Sequence, residues 1–371
     1  MAPRRSPGPL LTFSSMELQS MESSIVFDPK PLEPEGSSKR WYDYLPLCGT
    51  VVLLLAPHPS LLYVLVDFHL QTLHQPFTFL VHLIVTYTLS FLAFSSLIVC
   101  LARHPGPANA PSRAESGGDG GDEEEMSLRD ALMPDEDFSS PGKWCRKCWA
   151  PKAERTHHCA ICNMCVLKMD HHCPWIGARC IGHRTYPAFV HFLCSITLLA
   201  LYITAIASHA LWYAFTHPFV VNELTPVHEI GLAFAGAIFS LLIGSFAGYH
   251  IYLISINATT LEYMTPFMLL RHLPRLPRTG HSLSDPPLEP ELTYAQRRLV
   301  RDAHSQVSLY DVGWKKNFAQ VFGWNKKYGW MHRLWYGGAC MGDGKTFPRN
   351  PRAEEVLAKL AQELVKADAD R

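Results

Sequence analysis

Apolar residues in this chain gather into two long blocks, separated by a polar stretch dense in cysteine and histidine. No Lys or Arg occurs between Trp41 and Ala102, and none between Thr185 and Leu270. The carboxylates within the blocks are Asp43, Asp67, Glu223, Glu229 and Glu262. A soluble core has no reason to exclude cations over such lengths, whereas a bilayer does. Each block has room for two helices of about 20 residues, enough to cross about 30 Å of hydrocarbon. The pattern predicts spans over 45–66, 77–101, 188–215 and 230–256. Pro57, His58 and Pro59 interrupt the first, which leaves a re-entrant or interfacial segment open as its alternative. The expected fold is an all-α polytopic membrane protein of four transmembrane helices, with a small Cys/His-rich domain between helices two and three.

Charge adds an orientation. The turns 67–76 and 216–229 carry no Lys or Arg, whereas the N-terminal arm has Arg4, Arg5, Lys39 and Arg40, and the middle loop and the tail are rich in both. The positive-inside rule then puts both termini and the middle loop in the cytosol. The start of the chain lacks an apolar signal-peptide core, so the first span is expected to direct membrane insertion. A formal net charge of zero argues against a cationic nucleic-acid binder.

The expected layout runs as follows: a disordered cytosolic arm over 1–40, helices one and two over 41–102, and a disordered acidic linker over 103–142. A Cys/His-rich domain follows over 143–185, then helices three and four over 186–257 and a cytosolic C-terminal region over 258–371. Within the last region, 274–290 is proline-punctuated and irregular, and 297–323 reads as folded. Val356, Leu357, Leu360, Ala361 and Leu364 recur at helical spacing over 351–371. A helix on the membrane or on a partner is one reading of that spacing. The mixed charge of the polar face favours a plain surface helix.

Seven of the eleven cysteines lie between Cys145 and Cys180, together with His157, His158, His171 and His172. Cytosolic thiols stay reduced, so disulfides are a poor explanation. The spacings Cys145-x2-Cys148 and Cys159-x2-Cys162-x2-Cys165 are those of tetrahedral zinc. Seven thiols and four imidazoles make eleven candidate ligands; two closed sites take eight and leave three. Asp170-His171-His172-Cys173 can supply a spare thiol, an imidazole to activate it, and a carboxylate to orient the imidazole.

These residues carry a resemblance. The segment from Cys145 through His158, Cys159, Cys162 and Cys165 to Asp170-His171-His172-Cys173-Pro174-Trp175 resembles the cysteine-rich domain of the DHHC protein S-acyltransferases. Thr259-Thr260-Leu261-Glu262 is similar to the family's Thr-Thr-x-Glu motif. Tyr310-Asp311-Val312-Gly313, with Asn317 and Phe322-Gly323, is similar to its C-terminal motif.

The resemblance implies one zinc site of Cys145, Cys148, His158 and Cys165 and another of Cys159, Cys162, His172 and Cys180. It further implies a catalytic set of Cys173, His171 and Asp170, supported by Thr259, Thr260, Glu262 and Asn317. The implied activity is a ping-pong protein S-palmitoyltransferase. A long-chain acyl group passes from acyl-CoA to Cys173 and then to cysteines of cytosolic or membrane proteins near the bilayer. The two Zn²⁺ are structural, no nucleic acid is involved, and the implied location is an endomembrane of the ER, Golgi or vacuole. The chain departs from the family twice: six residues, not five, separate Cys173 from Cys180, and Thr185 stands where the family commonly has Asn. A bulge around Gly177 would absorb the extra residue. Lys152, Arg155, Lys168, Arg179 and Arg184 read equally as CoA-phosphate ligands or as ordinary loop charges. Cys340 is either a lipidated tail cysteine or of no special role.

Overall fold

The computed structural model describes residues 41–105, 144–148, 150–219, 224–277, 282–323 and 340–369. The expected disordered arm and nearly all of the acidic linker lie outside them. Among the described residues, four helices are long and apolar enough to cross a membrane: Trp41–Thr72, Pro76–Ala102, Tyr186–Thr216 and Thr225–Ser255.

The first span is composite. Helix α1 (Leu45–Leu55) passes into α2 (Pro57–Leu65) and ends in a wide π-helical segment, Val66–Thr72. Ala56 keeps helical angles, and its N–H donates to the Val52 carbonyl at 2.8 Å. Pro57 takes the first position of α2, where a missing N–H costs little. The Pro-His-Pro triplet therefore continues the helix, and the re-entrant alternative is not adopted.

Helix α3 (Pro76–Ala102) and helix α5 (Thr225–Ser255) both pack on the central α4 (Tyr186–Thr216). Gly236 of α5 is buried where a Cβ would stand 3.1 Å from the Ala200 carbonyl oxygen of α4. Small residues let membrane helices approach this closely. Gly236→Val should separate α4 from α5 and cost about 1–3 kcal/mol, seen as a lower thermal midpoint in detergent. An unchanged midpoint would show that this crossing has slack.

Leu61, Val64, Phe68, Leu199, Ile203 and Leu232 form one apolar cluster among the spans. A second joins Leu54, Ala93, Leu97 and Phe189 of the spans to Ile176 and Cys173 of the cysteine-rich segment. That segment folds as three antiparallel hairpins. Strand β1 (Trp144–Cys145) pairs with β2 (Ala150–Pro151), β3 (His157–Cys159) with β4 (Met164–Val166), and β5 (His171–Cys173) with β6 (Arg179–Ile181).

Beyond α5 come the short helix α6 (Thr260–Met264) and a 3-10 segment, Pro266–His272. Helices α7 (Tyr294–Gln306), α8 (Trp314–Phe322) and α9 (Pro351–Ala369) follow among the described residues of the tail. The apolar stripe of α9 is not left at a surface. Leu357, Leu360, Ala361 and Leu364 are buried with Leu269, Leu270 and Val300, and the Gln296 amide donates to the Leu364 carbonyl at 3.1 Å. The sequence pattern located this helix, but the surface that covers it comes from distant segments of the same chain, Leu269–Leu270 and α7.

Candidate active site and metal clusters

Alternation along the strands sorts the cluster. In β3–β4, His158 stands opposite Cys165, and in β5–β6, His172 stands opposite Cys180. Each cross-strand pair meets two thiols from a neighbouring turn. Cys145 and Cys148 join His158 and Cys165, while Cys159 and Cys162 join His172 and Cys180. Successive strand residues face opposite sides, so β3 gives His158 to one cluster and Cys159 to the other.

The donor sets fit zinc. In the first cluster the sulfurs of Cys145, Cys148 and Cys165 lie 3.5, 3.2 and 3.9 Å from His158 Nδ1. In the second, those of Cys159, Cys162 and Cys180 lie 3.6, 3.4 and 3.7 Å from His172 Nδ1. Tetrahedral zinc, with bonds of about 2.3 Å to sulfur and about 2.0 Å to nitrogen, spaces its donors about 3.5 Å apart. With four protein donors each, both sites are closed, and the metal would serve to hold the fold. Cys148→Ser should lower the zinc content from two ions to one, because structural zinc binding is worth about 10–16 kcal/mol and a lost thiolate forfeits much of it. Metal analysis of the purified protein checks this; retention of both ions would remove Cys148 from the site.

The same alternation turns His171 and Cys173 to the face opposite His172. His171 Nδ1 donates to Asp170 Oδ2 at 2.7 Å. Asp170 is buried and accepts two more hydrogen bonds from Thr260, the backbone N–H at 2.9 Å and the hydroxyl at 2.8 Å. Burial would raise the Asp170 carboxyl, but the hydrogen bond and charge of His171, with His250 and Thr260, hold it below the usual range. Burial would likewise lower His171, yet Asp170 and a hydrogen bond with Cys173 lift it to about 9. Cys173 itself is buried against the apolar cluster of the spans.

The turn after Cys173 is tight and left-handed at two successive residues. Gly177 and Ala178 both adopt positive φ, +62° and +48°, and the Ala178 N–H donates to the Pro174 carbonyl at 3.2 Å. A Cβ at Gly177 would stand 2.9 Å from Leu101 Cδ2, so both the conformation and the close approach to α3 call for glycine. Thr185 holds this corner by hydrogen bonds with Gly182: its hydroxyl accepts from the Gly182 N–H at 3.1 Å. Gly177→Val should cost about 1–3 kcal/mol and slow any reaction at Cys173; a variant with an unchanged melting point and rate would contradict this packing.

Glu262 and Thr259 form a capping box that starts α6. Glu262 also accepts a bidentate pair from Arg155, Nε to Oε1 and Nη2 to Oε2, both at 2.7 Å. The same guanidinium donates to Asn257 Oδ1 at 3.1 Å and to its carbonyl at 2.9 Å, and lies 4.1 Å from the Tyr310 ring centre. Lys168 is buried beside it, and burial together with Arg155 lowers its ammonium to about 8. Of the five basic residues weighed for phosphate binding, these two are therefore internal. Asn317 is fully buried, donating to the Ser255 carbonyl and to Asp311 Oδ1, each at 2.7 Å. It fastens α8 to the end of α5. Cys340 is buried in the same apolar cluster as Cys173 and so presents no exposed thiol.

Sequence reasoning missed Arg155 and Asn257 as the partners that anchor α6. It also missed His250, whose ring packs 6.0 Å from that of His171 with Nδ1 3.2 Å from the Tyr186 hydroxyl. A histidine inside an apolar span was a legible signal for the last. Nothing in the spacing pointed to the first two.

A model of the DHHC palmitoyltransferase domain matches residues 139–266, the stretch that holds both clusters, Cys173 and Thr259–Glu262. The chain is 32% identical over 223 residues to "Palmitoyltransferase ZDHHC15" of Rattus norvegicus, covering 60% of this chain and 54% of that one. It is 33% identical over 207 residues to "Palmitoyltransferase ZDHHC2" of Homo sapiens, covering 56% of this chain and 46% of that one. It thus spans about half the length of the curated relatives it matches.

Proposed function

We propose that this chain is a protein S-acyltransferase that takes a long-chain acyl group from acyl-CoA onto Cys173 and passes it to cysteine thiols of proteins near the membrane. The observation that carries the reading is that His171 meets both Asp170 and Cys173, with both zinc clusters complete without them. In the proposed roles, Cys145, Cys148, His158 and Cys165 hold one zinc, and Cys159, Cys162, His172 and Cys180 hold the other. Thr259, Thr260 and Glu262 position Asp170 through α6, and Asn317 fixes the tail beneath them.

In the first step His171 takes the Cys173 proton, and the thiolate attacks the thioester carbonyl. The new S–C bond forms as the bond to the CoA sulfur breaks, and His171 returns the proton to the departing CoA thiolate. In the second step a substrate thiol gives its proton to His171 and attacks the acyl carbon. Cys173 leaves as thiolate and is reprotonated by His171. Burial of each CH₂ of the acyl chain is worth about 0.8 kcal/mol, and the apolar cluster around Cys173 offers that environment beside the reacting sulfur.

We orient both termini and the 143–185 domain toward the cytosol by the distribution of Lys and Arg, and assign the chain to an endomembrane of the ER, Golgi or vacuole. The test is incubation of the purified full chain with a tagged palmitoyl-CoA in detergent. Covalent label released by hydroxylamine is the expected result, with CoA formed in equal amount. A zinc-replete protein that takes no label would overturn the proposal.

A further inference from the structure

His250 of α5 stands beside the reacting groups without a role in the transfer steps. It is fully buried, with the Tyr186 hydroxyl 3.2 Å from Nδ1 and no hydrogen-bond partner for Nε2. The rings of Phe189 and Phe246 meet it edge-on, with centres 5.1 and 4.7 Å away, and fix its plane. A buried nitrogen left without a partner is costly, and such a group calls for a use. One nitrogen of His250, one nitrogen of His171 and one oxygen of Asp170 all lie within 4.8 Å of one another. Two imidazoles and a carboxylate are a donor set for three-ligand zinc, with water in the fourth position. Thr260 already holds the carboxylate in place with two hydrogen bonds. Zinc spaces nitrogen and oxygen donors about 3.4 Å apart, so the 2.7 Å pair of His171 Nδ1 and Asp170 Oδ2 has only to open slightly. His171 is the partly exposed member of the three and gives an ion its way in.

We propose that Asp170, His171 and His250 form a third zinc site, exchangeable and distinct from the two closed clusters, and that its occupation arrests acyl transfer. In neutral His171 the single ring hydrogen sits on Nδ1 and is given to Asp170. An ion on Nδ1 takes that lone pair and moves the hydrogen to Nε2, with no proton released. His171 also hydrogen-bonds Cys173, and with Nδ1 spent on Asp170 this contact falls to Nε2. A ring already protonated at Nε2 cannot accept the Cys173 proton, because one nitrogen sets the state of the other. The arrest rests on the acyl-transfer reading; the metal site itself does not.

The experiment washes the full-length protein in detergent with a weak chelator until only the ions of the two closed clusters remain. It is then titrated with Zn²⁺ against a chromophoric chelator, and labelling by tagged palmitoyl-CoA is read at each point. A third ion at micromolar free Zn²⁺ is expected, with a fall in labelling rate of about a hundredfold at saturation that the weak chelator reverses. His250→Gln should keep the two closed clusters filled and weaken the third site by about tenfold or more. Its labelling, measured against its own zinc-free rate, should not respond to the same Zn²⁺. No third ion, a third ion undiminished in His250→Gln, or a third ion that leaves wild-type labelling unchanged would overturn the assignment. A wild type that binds the third ion through His250 but never takes label would overturn the acyl-transfer reading and leave the site standing. Should His250→Gln lose an ion from a closed cluster, Asp170→Asn replaces it in the binding measurement, with the same criterion.

Discussion

Cys173→Ser is expected to remove the hydroxylamine-labile acyl-enzyme, a loss of at least about a thousandfold in labelling rate, while both zinc ions stay bound. The two halves of this result depend on different parts of the geometry. Retention of zinc follows because each cluster has four donors without Cys173. Loss of label follows because a serine hydroxyl beside His171 is a far weaker nucleophile than a thiol at the same place. His171→Ala should leave measurable activity, down by about 10²–10⁴, since the thiol persists without its proton acceptor. Pre-steady-state labelling and metal analysis on one preparation check both. Loss of a zinc from Cys173→Ser would make Cys173 a ligand and return the domain to a scaffold.

Arg155→Ala is expected to destabilise the protein by about 3–5 kcal/mol, although Arg155 touches neither zinc nor Cys173. Its side chain is almost wholly buried and satisfies Glu262 and Asn257 together. Removing it strands a carboxylate at the start of α6, and α6 carries the Thr260 that holds Asp170. Burial would raise the Glu262 carboxyl, but the charge and hydrogen bonds of Arg155 keep it below the usual range. A depressed folded-state value means this stabilisation is complete above the ordinary carboxylate pKa of about 4.3 and is lost as pH falls through the depressed value. The wild type should therefore lose this stabilisation on acidification, and Arg155→Ala should show less of that loss. Arg155→Ala/Glu262→Ala should cost less than the sum of the single changes, because the unpaired charge disappears. Thermal midpoints in detergent decide it. A single variant within about 1 kcal/mol of wild type would show that α6 does not depend on the pair.

What the sequence determined by itself is whatever depends on local spacing or on the exclusion of charge. The four spans were legible because a bilayer forbids Lys and Arg over about 20 residues wherever the helix packs. The metal clusters were legible because turns that grip zinc need thiols two residues apart. The spare thiol followed from counting ligands. Tertiary structure alone decided which side chains meet across long separations. Arg155 finds Glu262 more than a hundred residues on, and α9 covers its apolar stripe with α7 rather than a membrane. It also decided that Pro57 continues a helix and that Gly177 fits the gap beside Leu101. A pattern along the chain records what each segment must bury or bind. It does not record which distant segment supplies the matching surface, since that match arises only when the whole chain packs at once.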